Sequence, residues 1–273
     1  MTDARALRSR YAAFVATLGA SGDKRIEAAF AAVERERHCG EGPWLVAAGE
    51  GYVRTPSSDP DFLYRNAAIG LVAERRLNNG EPSSHAFWLK AVEPKPGERV
   101  AHVGAGTGYY TAILAELVGR EGRVDAYEIE PELAERARRN LADRANVSVH
   151  QRSGATGALP GADVIYVNAG ATAPMAVWLD ALRPEGRLIF PLTPDAGIGG
   201  MLLVARREDG PYAAHFVSGA VFFPCTGARD AGEAERLAAA FAAGGAIDVR
   251  RLHRGTNPDA SCWLAGEGWW FSR

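Results

Sequence analysis

The sequence predicts an α/β protein whose core is an open, mostly parallel sheet with helices on both faces. From Arg99 to Leu192, short apolar runs typical of strands alternate with segments of helical periodicity. The first of these runs ends in a glycine-rich turn with glycines at 104, 106 and 108. After Pro194 the pattern changes to two β-like runs separated by the turn signal EDGP, which predicts an antiparallel hairpin at the end of the sheet.

The alternation fixes the expected elements one by one. Strands are predicted at 99–103, 123–129, 146–150, 162–168 and 187–192, and helices at 108–119, 131–143 and 174–183. The hairpin strands are expected at 201–206 and 213–224, followed by a helix near 231–243 and a strand near 247–253. The tail carries three tryptophans, which we expect to lie in the core or to cover a surface as a lid: Trp263, Trp269 and Trp270.

The first hundred residues predict helices and a loop before the sheet. Two amphipathic helices are expected at 3–19 and 23–37, separated by a Gly-Ala-Ser-Gly breaker. Residues 41–61 are rich in glycine, proline and serine and predict an irregular segment with a short strand near 44–47. Residues 62–73 fit a short strand or a short helix equally well. A further helix, capped by Ser83 or Ser84, is expected to run to Val92, and its loop could fold over a ligand.

Length and composition narrow the class of protein. The 273 residues carry 31 basic and 33 acidic side chains, so no nucleic-acid partner is expected. The sequence contains no run of 18 uncharged apolar residues, so we expect no membrane span. The N-terminus is charged and does not resemble a secretory signal. Three cysteines without CxxC spacing predict reduced thiols in a cytoplasmic protein, and no metal-ligand pattern is present.

The glycine turn is the first indication of a ligand. Its glycines allow backbone N–H groups and the N-terminus of the following helix to come close to a bound molecule. Glu128 follows Gly108 by twenty residues and lies at the end of the next apolar run. An acid in this position usually accepts hydrogen bonds from ribose hydroxyls. The sequence therefore predicts a nucleoside-containing cofactor.

The spacing within the turn distinguishes between two cofactor classes. Dinucleotide-binding folds use G-x-G-x-x-G, whereas this chain has G-x-G-x-G followed by Tyr109. The bulk of Tyr109 and Tyr110 is unfavourable for a pyrophosphate, which argues against a nicotinamide dinucleotide and hydride transfer. A G-x-G-x-G turn followed by an aromatic residue resembles the motif of S-adenosylmethionine-dependent methyltransferases.

Longer stretches resemble one family of these enzymes. VGAGTGYYTAILAELVG, GRVDAYEIEPELAERARRNL, ADVIYVNAGATAPMAVWLDALRPEGRLIFPL and AVFFPCTG are similar to the protein-L-isoaspartate O-methyltransferase family, and the resemblance extends over residues 97–227. It implies a Rossmann-like class I methyltransferase with a mostly parallel seven-stranded sheet and an antiparallel C-terminal hairpin. The implied domains are a helical and substrate-loop region at 1–96, a cofactor-binding core at 97–227 and an extension at 228–273. The implied reaction is methylation of an isoaspartyl carboxylate in damaged proteins or peptides.

The same resemblance and the turn argument together predict site residues. The expected cofactor-binding residues lie on the turn and at neighbouring strand ends: His102, Val103, Gly104, Ala105, Gly106, Thr107, Gly108, Tyr109, Glu128, Ile129, Ser153, Gly154 and Asn168. In the family a serine on the loop before the cofactor domain lies by the transferring methyl group, and spacing alone leaves Ser83 and Ser84 both open. His85 is a candidate base for an alcohol or thiol substrate. A carboxylate substrate needs no base, because it is already ionised near neutral pH.

Three departures from the family pattern bear on the cofactor or on the substrate. His102 replaces an acid two residues before the first glycine, and Arg152-Ser153 replaces a Gly-Asp pair near the adenine. Glu81-Pro82-Ser83 replaces a threonine-isoleucine-serine run in the substrate loop. Two alternatives therefore stay open: a methyltransferase of a different small-molecule or peptide carboxylate or hydroxyl, and a homologue that binds the cofactor without catalysis.

Overall fold

The computed structural model describes residues 4–49, 51–208 and 210–273, with Ala73 described by its backbone alone. Parts of the predicted first helix, of the irregular segment at 41–61 and of the hairpin turn (residues 1–3, Glu50 and Asp209) lie outside the described residues. The chain forms two compact units: the residues up to Glu98 with Ala105–Arg152, and Arg99–Gly104 with Ser153–Arg273. This division follows compactness and differs from the predicted domains, which stay a prediction.

The first unit begins with three helices where two were predicted. Helix α1 spans Ala4–Ala20 and α2 spans Lys24–Ala32, capped by the Asp23 carboxylate, which accepts two backbone N–H bonds. The predicted helix 23–37 is wrong beyond Ala32, because Val33 is extended, with φ −100° and ψ 123°. Helix α3 (Arg35–Cys39) then begins with a fully buried arginine. Its guanidinium donates to three backbone carbonyls between residues 63 and 67, a tertiary contact that outweighs the helical periodicity of the segment.

Two small hairpins and a helix follow in this unit. Strands β1 (Leu45–Ala48) and β2 (Gly51–Arg54) pair antiparallel, which confirms the short strand expected near 44–47. The open choice for 62–73 resolves as strand β3 (Gly70–Val72), which pairs antiparallel with β4 (Leu77–Asn78). Helix α4 spans Pro82–Val92 with Glu81 at the N-cap position. The prediction that Ser83 or Ser84 caps this helix is wrong, because Pro82 begins it and both serines lie in its first turn.

The rest of the first unit is a helix–strand alternation. It consists of α5 (Tyr109–Val118), β6 (Arg123–Glu128), α6 (Pro131–Asn140) and β7 (Val147–Gln151). Strands β6 and β7 pair in parallel, with Glu128 opposite Gln151 at their carboxyl ends. Open α/β sheets bind ligands at this end of their strands, and Glu128 is therefore placed where the spacing argument expects it.

The second unit contains a mixed sheet of eight strands. These are β5 (Arg99–Val103), β8 (Ala162–Val167), β9 (Leu182–Leu192), β10 (Gly199–Ala205), β11 (Tyr212–Ala220), β12 (Arg251–Arg254), β13 (Cys262–Gly266) and β14 (Trp269–Ser272). Their spatial order is β13-β14-β12-β11-β10-β9-β8-β5. Helix α7 (Ala176–Ala181) precedes β9, and α8 (Ala231–Ala243) precedes β12. The α/β class is confirmed.

The strand count and the parallel character predicted for the sheet need correction in this unit. Among its described strands, β5–β8 and β8–β9 pair in parallel, whereas the five other pairs are antiparallel. The hairpin β10–β11 does not end the sheet, because β12, β14 and β13 of the C-terminal extension continue it. Trp269 and Trp270 are 6% exposed in β14, so these two belong to the core.

Two element bounds differ for local reasons. Leu182 is extended, with φ −65° and ψ 126°, so α7 ends early and β9 begins five residues before the predicted 187. The strand expected near 247–253 begins only at Arg251, because Ala246–Asp248 form a short 3-10 helix. Among the described helices, none is long and apolar enough to cross a membrane.

Candidate functional site

The glycine turn has a backbone that only glycine adopts easily. Gly104, Gly106 and Gly108 have φ values of 76°, 57° and 87°, all in the left-handed region. A Cβ on Gly108 would lie 2.6 Å from Cδ1 of Leu141, so this position also lacks room for a side chain. The turn therefore depends on glycine at this position.

Backbone and side-chain donors hold the turn from within the first unit. The N–H of Ala105 donates to the carbonyl of Tyr127 over 3.1 Å. The Thr107 carbonyl accepts from His38 Nδ1 at 3.0 Å and from Asn140 Nδ2 at 2.9 Å. Burial lowers the pKa of His38 to about 4, which keeps the ring neutral near pH 7. Because a carbonyl only accepts, the proton of the neutral ring is assigned to Nδ1.

Glu128 binds the turn directly. Its Oε2 accepts the Gly106 N–H at 2.7 Å, and its Oε1 accepts the Glu130 N–H at 2.9 Å. Burial raises the pKa of this carboxyl, because desolvation disfavours its charged form. Each carboxylate oxygen has two acceptor sites, so the carboxylate can still accept a hydrogen bond from a ligand hydroxyl. The geometry suits a ribose, and that role stays a prediction.

Other predicted turn residues have distinct surroundings. The Thr107 hydroxyl oxygen is buried without a hydrogen-bond partner in the described part of the chain. Ile129 is 41% exposed although it is a large apolar residue. The Tyr109 ring, in contrast, packs against Phe30 and its hydroxyl lies 3.2 Å from that of Tyr11. The side chain of Tyr109 thus belongs to the core, and only its backbone remains available to a ligand.

In the second unit, His102 and Asn168 form a pair. Strand β5 carries His102, fully buried, and its Nε2 lies 2.8 Å from Asn168 Nδ2. Burial lowers the pKa of His102 to about 3, so it supplies no charge near neutral pH. The Val103 carbonyl accepts the Asn168 N–H at 2.8 Å, which fixes this strand end. The Oδ1 atom of Asn168 is buried without a partner among the described residues.

Ser153 and Gly154 form hydrogen bonds with other segments of the second unit. The Ser153 hydroxyl donates to the Thr226 carbonyl at 2.9 Å and accepts the Ala155 N–H at 3.1 Å. The Gly154 carbonyl accepts Trp178 Nε1–H at 2.8 Å. The adenine contact expected from these two residues stays a prediction.

The predicted substrate serines lie in a small polar cluster of the first unit. Asn66 Oδ1 accepts the Ser83 N–H at 2.8 Å, and Asn66 Nδ2 donates to the Ser83 hydroxyl at 2.9 Å. The Ser84 hydroxyl donates to the Glu81 carboxylate at 2.9 Å. Asn66 therefore supplies the cap of α4 from outside the helix.

His85 connects this cluster to the glycine turn. Its ring is buried and stacks on the Tyr110 ring, with centroids 3.5 Å apart. The Tyr110 hydroxyl donates to the Gly80 carbonyl at 3.3 Å. Because Tyr110 lies in the first turn of α5, the start of α4 packs directly beside the helix that follows the glycine turn. The predicted substrate residues and the turn are thus brought together, and the role of His85 as a base stays a prediction.

The β3–β4 hairpin covers part of the same region. A Cβ on Gly106 would lie 3.3 Å from Cδ1 of Leu71, which follows Gly70 in β3. Arg75, just after this strand, forms a bidentate ion pair with Glu130, with its Nη2 at 2.7 Å from Oε1. The hairpin is therefore fastened next to Glu128.

Sequence reasoning missed several residues that shape the site. Asn66, His38, Asn140 and Arg75 lie between 29 and 66 residues from the nearest glycine of the turn, and none belongs to a recognisable motif. Their contacts arise only through the tertiary fold. For Asn66, the sequence offers one signal, namely a polar side chain within residues 62–73, whose secondary structure the sequence leaves open.

Comparison with known proteins shows the family of this chain. The model of the family described as Protein-L-isoaspartate(D-aspartate) O-methyltransferase (PCMT) matches residues 50–230, more than half of the chain. The chain belongs to this family. The family-level resemblance and the class I fold are thereby confirmed, and the family's cofactor is S-adenosyl-L-methionine.

Individual relatives agree with this assignment. The chain is 38% identical over 152 residues to a Protein-L-isoaspartate O-methyltransferase of Methanopyrus kandleri, covering 54% of this chain and 66% of that protein. It is 34% identical over 177 residues to one of Anaeromyxobacter dehalogenans, covering 60% and 83%. A putative family member from Plasmodium falciparum, solved with S-adenosyl-L-homocysteine, shares the fold with a TM-score of 0.64 at 18% identity, over 81% of this chain and 98% of that one. The chain spans just under two thirds of the Methanopyrus relative's length.

Proposed function

We propose that this PCMT-family chain uses S-adenosylmethionine to methylate a carboxylate of a protein or peptide, with the isoaspartyl side chain as substrate. The contact between Glu128 and the Gly106 N–H carries the proposal. It places an acid with spare acceptor sites against the backbone of the glycine turn. The family membership supplies the substrate class.

The residues of the turn fit the cofactor. Glu128 would accept the ribose hydroxyls, and the buried Thr107 hydroxyl would gain a hydrogen-bond partner. The exposed side chain of Ile129 would be covered by the flat adenine ring. His102, Val103, Gly104, Asn168, Ser153 and Gly154 stay proposed contacts of the same ligand. Because His102 is neutral and replaces the acid of the family pattern, Glu128 is the acidic residue among the proposed cofactor contacts.

The protein's contribution to the chemistry is alignment. When bound, the cofactor supplies an electrophilic methyl group on a sulfonium. The start of α4, with Ser83 and Ser84, would contact the peptide beside its reacting carboxylate, which is ionised near neutral pH and needs no base. The β3–β4 hairpin, with Leu71 against Gly106, would keep water from the turn. Alignment of this kind contributes at most about 7–11 kcal/mol to the lowering of the barrier.

Labelled-methyl transfer tests the proposal. We expect the full chain to label a peptide with one isoaspartyl residue and not its normal aspartyl twin. Calorimetric titration with S-adenosyl-L-homocysteine is run in parallel. Binding of the cofactor product without labelling of either peptide would overturn the activity and leave a binding protein.

A further inference from the structure

Glu81 lies where the family pattern has no acid, and its carboxylate is held in place. Asn66 Nδ2 donates to its Oε1, and the Ser83 hydroxyl lies 3.3 Å from the same atom. The Ser84 hydroxyl donates to its Oε2 at 2.9 Å. The residue also occupies the N-cap position of α4, where the helix dipole favours negative charge. The carboxylate is therefore a fixed part of the helix start.

The charge of Glu81 is not neutralised. Within the described ranges, no arginine, lysine or histidine forms an ion pair with it, whereas Glu130 of the same unit is paired with Arg75. The residue is exposed, and its partners are neutral side chains. Hydroxyl and amide donors orient the carboxylate but leave its net charge at −1.

The hydroxyls of Ser83 and Ser84 orient the Glu81 carboxylate. Each hydroxyl carries a single hydrogen, and both hydrogens are donated to Glu81. Ser84 therefore turns its lone pairs away from Glu81, and Ser83 has one lone pair already occupied by Asn66 Nδ2. The serine side chains of the helix start thus present acceptors next to a fixed negative charge.

We propose that Glu81 is a specificity-determining residue that selects peptides with a cation or N–H donors beside the reacting residue and disfavours a second carboxylate there. A ligand lysine or arginine finds a preorganised acceptor surface, whereas a ligand glutamate meets like charge. The inference rests on the proposed function in one respect, namely that the start of α4 contacts the substrate. The binding preference itself does not require turnover.

The test measures peptide affinity by calorimetry on the full chain saturated with S-adenosyl-L-homocysteine. Three peptides share one isoaspartyl residue and differ in the neighbouring residue, which is lysine, alanine or glutamate. At low ionic strength we expect the lysine peptide to bind roughly three- to tenfold more tightly than the glutamate peptide, from a charge contact about 6 Å long near the protein surface. Added salt should reduce this ratio.

Three variants separate charge from structure. Glu81→Gln should bring the ratio close to one, and Ser84→Ala, which keeps the charge, should leave most of it. Glu132→Gln, another exposed acid with no contact to Glu81, should leave the ratio unchanged. Thermal unfolding confirms that each variant is folded.

The outcomes separate this inference from the proposed function. An unchanged ratio in Glu81→Gln, or no preference in the wild type, overturns the inference while methylation can still occur. A Glu81-dependent preference without any methyl transfer supports the inference and overturns the activity. If no peptide binds, the start of α4 does not contact substrate and the inference fails as well.

Discussion

The ring of His85 lies parallel to that of Tyr110, with their planes inclined by 11°. This stacking fixes the helix that carries Ser83 and Ser84 against the helix that follows the glycine turn. Stacked aromatic pairs are worth about 0.5–1.5 kcal/mol beyond their buried area. The position of the substrate segment therefore depends on Tyr110.

Replacement of Tyr110 should weaken substrate binding more than cofactor binding. Tyr110→Leu removes the stacking and the hydrogen bond to Gly80, and we expect KM for the isoaspartyl peptide to rise by about three- to tenfold. The Kd for S-adenosyl-L-homocysteine should change less. Tyr110→Phe is the matched control, because it keeps the ring and should stay within about twofold of the wild type. Equal losses in both constants would contradict a role specific to the substrate segment.

Removal of the Glu128 carboxylate should weaken cofactor binding. In Glu128→Ala the Gly106 N–H loses its acceptor and the ribose hydroxyls gain none, at a cost of about 1–3 kcal/mol. Calorimetric titration with S-adenosyl-L-homocysteine measures this loss. Glu132→Gln serves as the control for a general change in charge. Wild-type affinity in Glu128→Ala would refute the ribose contact.

The affinity for the cofactor should depend on pH through Glu128. Burial raises the pKa of its carboxyl above the ordinary 4.5, so protonation begins at a higher pH than for an exposed glutamate. The protonated form has fewer acceptor sites, and binding should therefore weaken as the pH falls towards this raised pKa. Titrations between pH 8 and pH 5 measure the decline. Glu128→Gln should show weaker binding that varies less over the same range, and a parallel decline in this variant would assign the titration elsewhere.

A side chain at Gly108 should destabilise the fold through two effects. Gly108→Ala places a residue at φ 87° and brings its Cβ to 2.6 Å from Leu141 Cδ1. The conformational cost is about 1–2 kcal/mol, and crowding adds about 1–3 kcal/mol. Gly245→Ala, at φ 79° and ψ 1° and with ordinary contacts of 3.6 Å to its Cβ, isolates the conformational cost. Equal losses of unfolding free energy in the two variants would show that Leu141 yields without cost.

The stability of the chain should fall below pH 6.5 because of His38. Its pKa is about 4 in the folded chain, against an ordinary value of 6.5, so unfolding takes up a proton between these values. The difference of 2.5 units corresponds to about 3 kcal/mol of stability, which is present above pH 6.5 and is lost progressively towards pH 4. Urea unfolding at a series of pH values measures the slope. His38→Gln should lose this part of the slope and retain the part due to His102, whereas an unchanged slope would contradict the assignment.

The sequence predicts the elements around the turn well, because local signals determine them. Glycines in the left-handed region, the strand ending at Glu128 and Pro131 at a helix start all act within a few residues. The break at Val33 is different: helical periodicity continues through it, and only the carbonyls that bind Arg35 make the interruption favourable. No local pattern contains that information.

The candidate site shows the same division. The proximity of Glu128 to the turn follows from its position at the end of the next strand along the chain. The cap of α4 does not follow from the sequence, since Asn66 reaches Ser83 from 17 residues upstream. Pro82 explains the error over the serines, because a proline at the first helical position is at least as good a start signal as a serine cap.

Strand β13 lies at the border of the eight-stranded sheet, beyond the predicted last hairpin. It spans only Cys262–Gly266, and its register with β14 shifts between Cys262 and Leu264. Long, regular edge strands can pair with another chain, whereas short and irregular edge strands pair poorly. Without the C-terminal extension, the nine-residue strand β11 would be the edge strand of the sheet. Strand β13 takes this place and is a poorer template for self-association. The extension therefore protects the chain against aggregation, whatever the chain binds.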